Sequence, residues 1–199
     1  MTESERKQII ALIQREVIPA IGCTEPIAVA LCVAKATETL GAKPEKIKVL
    51  LSANILKNAM GVGIPGTGMI GLPIAVALGA LIGKSDYQLE VLKDSTPEAV
   101  EEGKKLIDEK RICISLKEDI TEKLYIEVTC EAGGEQATAI ISGGHTTFVY
   151  VAKGDEVLLN KQQTSGEEEE EETLELTLRK VYDFALTAPL DEIRFIPET

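Results

Sequence analysis

Gly22-Cys23-Thr24-Glu25-Pro26 places a thiol where one apolar helical pattern stops and another starts. Thr24 suits the cap of the second helix, with Glu25 and Pro26 in its first turn. An acid opposes the positive helix end, and proline has no N–H to leave unpaired there. Cys23 then stands just outside a helix N-terminus, where the dipole favours thiolate over thiol. A thiolate so placed could act as a base or a nucleophile. The competing reading is a small buried cysteine beside a well-formed cap.

Three further constellations have chemical potential. Pro65-Gly66-Thr67-Gly68 is expected to open straight into a helix, where unobstructed backbone N–H groups suit a carboxylate or phosphate. It lacks the lysine of a P-loop, and no G-x-G-x-x-G with a following acid occurs, which argues against a nucleotide. The same glycines could instead serve tight helix packing. Asn54-x-x-Lys57-Asn58 precedes that loop: Lys57 could hold a carboxylate or act catalytically by neutralising a developing negative charge, and Asn54 and Asn58 could fix an amino or carboxylate group. A solvated loop is the alternative. Gly143-Gly144-His145-Thr146 carries the single histidine of the chain at a turn where glycines let the backbone approach a ligand. His145 is suited to proton transfer near neutral pH, though a lone turn histidine is commonly structural.

The elements that must position these residues follow from periodicity. Ile9, Ile10, Ile13 and Val17 give a first helix, closed by Pro19. A second runs from about Glu25 to Leu40 and ends at Gly41; its small apolar residues on most faces suit burial between other elements. Ile47 to Leu51 reads as a strand and Met69 to Ile82 as a buried helix. Another helix starts at Ser95-Thr96-Pro97-Glu98, a capping-box pattern, and reaches about Glu109. The period then switches to two. Strands are expected at Ile112–Leu116, Leu124–Cys130, Gln136–Ile141, Thr146–Val151 and Glu156–Leu159, with turns at Gly133-Gly134 and Lys153-Gly154-Asp155.

The fold class expected is α+β: an antiparallel sheet with packed helices, plus flanking helices of a larger, mostly helical part. The domains expected are 1–85, with the N-terminal helices and the Gly-rich loop, and 86–160, the sheet module. An acidic linker at 161–173 and a C-terminal helix at 174–199 follow. That helix has an apolar face and little sequence left to bury it, which suggests a truncation or a handover to another half or chain. Exposed apolar helix faces also invite association, a homo-oligomer included.

The 199 residues carry a formal net charge of −12, which disfavours nucleic acid and anionic membranes as partners. Much of the acidity lies in Glu167–Glu172. The polar N-terminus has no signal-type apolar region, and Met69 to Ile82 falls short of the roughly 20 residues that span a bilayer. These features point to the cytoplasm. The four cysteines, 23, 32, 113 and 130, show no C-x-x-C pair or zinc spacing. Cys32 and Cys130 fall on core faces, so Cys23 alone has surroundings that suggest chemistry.

In their order, Gly22-Cys23-Thr24-Glu25-Pro26, Asn54-x-x-Lys57-Asn58, Pro65-Gly66-Thr67-Gly68-Met69-x-Gly71-Leu72-Pro73-Ile74-Ala75 and Gly143-Gly144-His145-Thr146 resemble the L-cysteine desulfidase family. That family is related to the alpha part of iron–sulfur L-serine dehydratases. The likeness runs to about Asn160, and Asp191-Glu192-Ile193-Arg194-Phe195 also fits it. The resemblance implies a protein about twice this length, with an oxygen-labile 4Fe-4S cluster whose three cysteine ligands lie in the other half; none maps onto Cys32, Cys113 or Cys130.

It further implies a lyase acting without pyridoxal phosphate, by α,β-elimination on a small amino acid to give pyruvate, ammonia and sulfide or water. Cys23 would be the base. Gly66, Thr67 and Gly68 would hold the carboxylate, assisted by Lys57, Asn54 and Asn58, with Glu25 and His145 also at the substrate. The chain alone would then be inactive and need its second half or a partner subunit. Two rivals stand beside this expectation: a non-catalytic amino-acid-binding or regulatory module without the cluster half, and a purely structural subunit.

Overall fold

The computed structural model describes residues 1–161 and 175–198. Beyond Lys161, the acidic linker expected at 161–173 lies outside the described residues. The chain divides into two compact units: Ala20–Thr164, and Met1–Pro19 with Ser165–Thr199.

In chain order the elements are α1 (Glu3–Glu16), α2 (Thr24–Leu40), β1 (Lys46–Leu51), α3 (Ala53–Ala59), β2 (Gly63–Ile64), β3 (Met69–Ile70) and α4 (Leu72–Leu81). After a 3-10 turn at Ser85–Glu90 come α5 (Pro97–Asp108), β4 (Ile112–Leu116), β5 (Tyr125–Ala132), β6 (Glu135–Ser142), β7 (Phe148–Lys153) and β8 (Glu156–Asn160). The chain closes with α6 (Leu178–Thr187), α7 (Leu190–Ile193) and α8 (Phe195–Glu198).

The larger unit is built on a six-stranded sheet of order β4-β1-β5-β6-β7-β8. All its neighbours are antiparallel except β1 and β4, which run parallel from Ile47 opposite Ile112 to Leu51 opposite Leu116. The α+β class with helices packed on a mainly antiparallel sheet is therefore present. Alternation supplies its two faces: Ile126, Val128 and Cys130 of β5 point into the core, while Thr129 reaches Thr138 across the other face, oxygen to oxygen at 3.1 Å.

Helix α2 covers the core face. Every residue from Ile27 to Ala34 is fully buried, which requires neighbours on all sides: β5 and β6 on one, α4 on another. Cys32 Sγ lies 3.3 Å from the Ala139 carbonyl oxygen, so the helix sits directly on the sheet. Gly79 of α4 allows the close crossing, since a Cβ there would fall 2.6 Å from the Ala30 carbonyl oxygen. Gly41 ends α2 in the left-handed region at φ 76°.

Several expectations need correction. The boundary between 85 and 86 does not exist: β1 lies inside the sheet, and α2, expected among flanking helices, is the sheet's cover. Met69 and Ile70 are not helical; they pair with Ile64 and Gly63 in a small hairpin, and α4 begins at Leu72. An apolar run alone does not distinguish strand from helix, and the preceding Pro-Gly turn folds it back. The cap of α5 is Thr96, whose hydroxyl accepts from Ala99 N, while Ser95 donates to the Leu92 carbonyl. Strand β7 starts at Phe148, because residues up to Thr147 form the turn.

In the smaller unit, α1 opens with a reciprocal capping box between Thr2 and Glu5. Glu5 also pairs with Lys180 of α6 at 3.1 Å, and Arg6 pairs with Glu192 of α7 at 2.9 Å. Its buried apolar residues, among those described, are Ile9 and Phe184.

Candidate functional site

The N-terminus of α2 projects past one end of the sheet. Cys32 lies at the level of Ile126 and Thr37 at that of Cys130, so the helix start points toward the beginning of β5. At about 1.5 Å per residue, Thr24 stands roughly 12 Å beyond Cys32 in that direction. Helix α3 leaves the same end: Ser52, buried at its N-terminus, donates to the Lys123 carbonyl at 2.8 Å and accepts from Tyr125 N. The His145 turn emerges there too, since Ser142 pairs with Tyr125 and Gly143 N donates to the Leu124 carbonyl.

Cys23, not Thr24, occupies the N-cap position, with extended backbone at φ −61° and ψ 130° and no side-chain cap bond. Thr24 is the first helical residue, and this corrects the expected cap. The exposed Cys23 thiol donates instead to Glu25 Oε2 at 3.1 Å. Thr24 Oγ1 donates to the same oxygen at 3.3 Å, and Asn58 Nδ2 donates to Oε1 at 3.3 Å. Glu25 thus ties the start of α2 to α3.

This geometry overturns the expected thiolate. Hydrogen bonding to the Glu25 carboxylate, aided by partial burial, pushes the Cys23 thiol above its ordinary range and outweighs the neighbouring backbone N–H groups. Glu25 is shifted the opposite way, held ionised first by the Cys23 hydrogen bond. The resting pair is thiol and carboxylate.

The Gly-rich segment is the tip of the β2–β3 hairpin rather than a helix start, so the expected dipole contribution to anion binding is lost. Thr67 N donates to the Ile64 carbonyl, with Pro65 and Gly66 between them and Gly66 at φ 75°, the pattern of a type II turn. Thr67 Oγ1 donates to Ile64 O at 2.7 Å and accepts from Met69 N at 3.0 Å. Thr67 is therefore committed to the turn. The Gly66 and Gly68 amides have no partner among the described residues, so two of the three expected carboxylate donors keep that capacity. The turn reaches Gly22: a Cβ there would come within 2.9 Å of the Pro65 ring.

Asn54, Lys57 and Asn58 share one exposed face of α3 at i, i+3 and i+4, while Ile55 and Ala59 anchor the other. Only Asn58 bonds to the Cys23–Glu25 pair among these three. His145, half-buried in its turn, shares the sheet end but makes no hydrogen bond to that pair among the described residues. Ser52 escaped sequence reasoning; a serine before a helix is commonplace, and its two bonds to residues far along the same chain depend on the sheet. Also unforeseen is an apolar cleft of about 470 Å³ between Leu56, Met60, Pro73, Ile107, Ile112 and Ile114. The Leu56/Met60 spacing on α3 was its one signal.

Among the described residues no three His, Cys, Asp or Glu side chains converge to hold a metal ion. Cys32 and Cys130 are buried in the core. Burial pushes the Cys32 thiol well above its ordinary range and the Cys130 thiol up to about 11. No helix among the described residues is long and apolar enough to cross a membrane.

No protein-family model matches the chain. No solved structure matches it either. The chain is 99% identical over all 199 residues to a UPF0597 protein of Bacteroides fragilis, of which it covers 46%. It is 80% identical over its full length to a UPF0597 protein of Bacteroides thetaiotaomicron, covering 46% of that protein. A UPF0597 protein of Porphyromonas gingivalis is 48% identical over 204 aligned positions, spanning the whole chain and 47% of that protein. The chain thus spans about half the length of the curated relatives it matches, and is similar to one part of these UPF0597 proteins.

Proposed function

We propose that the chain forms the substrate-handling part of an amino-acid lyase that works without pyridoxal phosphate, like an L-cysteine desulfidase or L-serine dehydratase. The observation that carries this reading is the Cys23–Glu25–Asn58 chain of hydrogen bonds beside the Pro65–Gly68 turn. A proton-transfer pair thereby adjoins amides suited to a carboxylate.

Glu25 accepts three hydrogen bonds, and a carboxylate has about four acceptor sites, so one remains for a substrate ammonium. The bound ammonium offsets the Glu25 charge and eases ionisation of Cys23. The Cys23 proton passes to Glu25 Oε2, and the thiolate removes the substrate α-proton. Sulfide or hydroxide leaves the β-carbon, and a proton from the pair goes with it. The enamine formed hydrolyses to pyruvate and ammonia. The Gly66 and Gly68 amides, with Lys57, receive the carboxylate and stabilise the carbanion-like state.

The resemblance also implies a 4Fe-4S cluster. The described residues offer no ligand set for one, so no step of this chain is routed through it. The protonated state of Cys23 favours one second reading, amino-acid binding without turnover.

The test is exchange of the α-proton with solvent deuterium in a full-length protein containing this chain, prepared anaerobically, with L-cysteine and L-serine. Cys23→Ala should abolish exchange with substrate still bound, and Glu25→Gln should slow exchange and weaken binding, since it removes the charge that meets the ammonium. Exchange undiminished in Cys23→Ala removes the base assignment. Binding without exchange in the unaltered protein establishes the second reading.

A further inference from the structure

We infer that the exposed apolar face of α6 is the seat of the part of the full-length protein that lies outside these 199 residues. Leu178, Val181, Tyr182, Ala185 and Leu186 share one side of the helix at i, i+3, i+4, i+7 and i+8. Leu178 is 90% exposed, Tyr182 61% and Leu186 67%. Patches of this kind on a helix mark a packing surface.

Another side of α6 is already held: Phe184 is buried, and Lys180 pairs with Glu5 of α1. These contacts fix the rotation of the helix and leave the apolar face outward. Among the described residues, Ile9 and Phe184 make a very small core for the unit to which α1 and α6 belong, and units poor in buried surface require further chain.

Two observations select the occupant. The relatives that contain the whole chain are more than twice its length, since it covers 46% of them, so ample polypeptide is tethered to this unit. A second copy is disfavoured because each chain carries a net charge of −12 and would repel its twin. An apolar helix face with i, i+4 spacing fits another helix, ridges into grooves.

Maleimide labelling of Leu186→Cys in the full-length protein tests this, with Leu158→Cys, an exposed position on β8, as reference and peptide mapping to assign the sites. Labelling at 186 should be at least roughly tenfold slower than at 158 and independent of protein concentration, as for a site opened only by local unfolding. Hydrogen exchange over α6 in the unsubstituted protein gives the same reading should the cysteine variant fold poorly. Equal labelling at both sites, or rapid exchange throughout α6, overturns the inference. Protection that vanishes on dilution overturns it as well, and assigns the face to a second copy.

Discussion

Cys23 Sγ lies 3.1 Å from Glu25 Oε2, and the carboxylate, not the helix end, sets the state of the thiol. Cys23 is the N-cap of α2 and Glu25 lies in its first turn, so the opposition is local. The dipole of α2 favours a thiolate, but a carboxylate accepting the thiol proton disfavours it more strongly. Glu25→Gln should therefore lower the Cys23 ionisation range and speed its alkylation at neutral pH. The pH profile of iodoacetamide reaction at that residue, followed by peptide mapping, checks the sign. A profile unmoved or shifted upward would place control of the thiol elsewhere.

Gly22 and Pro65 give a second handle on the same site. A methyl group on Gly22 must displace the Pro65 ring, which has no flexible end to yield, and overpacking of this kind costs about 1–3 kcal/mol. Gly22→Ala should lower Tm and weaken amino-acid binding together, because the Pro65–Gly68 turn moves with the ring. Gly61→Ala meets nothing within 4 Å and should leave both unchanged. Thermal denaturation and calorimetric titration with L-serine distinguish the two variants.

Much of the fold was legible where period and punctuation agreed. The course of α2 to Gly41 followed from small apolar residues ended by a glycine, and the β5–β6 hairpin from alternation around Gly133-Gly134. The parallel pairing of β1 with β4 was not legible, because it joins segments separated by three helices and no local pattern encodes it. The span from Met69 to Leu72 misled because apolar content masks the difference between a two-residue strand and a helix start. At the site, residue types were readable but their joining was not. Asn58 reaches Glu25 only because α3 is held against the start of α2, and the rotamer that turns Glu25 back onto Cys23 is a tertiary outcome.

Ser52 is what holds α3 at that end of the sheet. Its hydroxyl bonds the Lys123 carbonyl at 2.8 Å and accepts from the buried Tyr125 N at 3.3 Å. Ser52→Ala leaves those groups short of a partner, at a cost of about 1–3 kcal/mol. Urea denaturation should show a lower midpoint with an unchanged m-value. Glu25 should also lose part of its hold on Asn58, which would appear as a change in the Cys23 alkylation profile. A stable variant with the original profile would show that α3 is positioned by its apolar face alone.

Glu5 gives the smaller unit an acid-dependent anchor. Its carboxylate accepts from Thr2 N at 2.9 Å and pairs with Lys180, which lowers its pKa to about 2. A carboxyl lowered on folding stabilises above its ordinary value of 4.5, and the contribution disappears as pH falls from there toward 2. Hydrogen exchange in the first turn of α1, corrected for intrinsic rates, should be flat above the ordinary carboxyl range and lose protection steadily below it. Glu5→Gln should begin with weaker protection and show little further acid loss, because the titrating group is gone. If the substituted protein retains the same acid transition, the anchor belongs to another carboxylate, and Glu192, paired with Arg6, is the next to test.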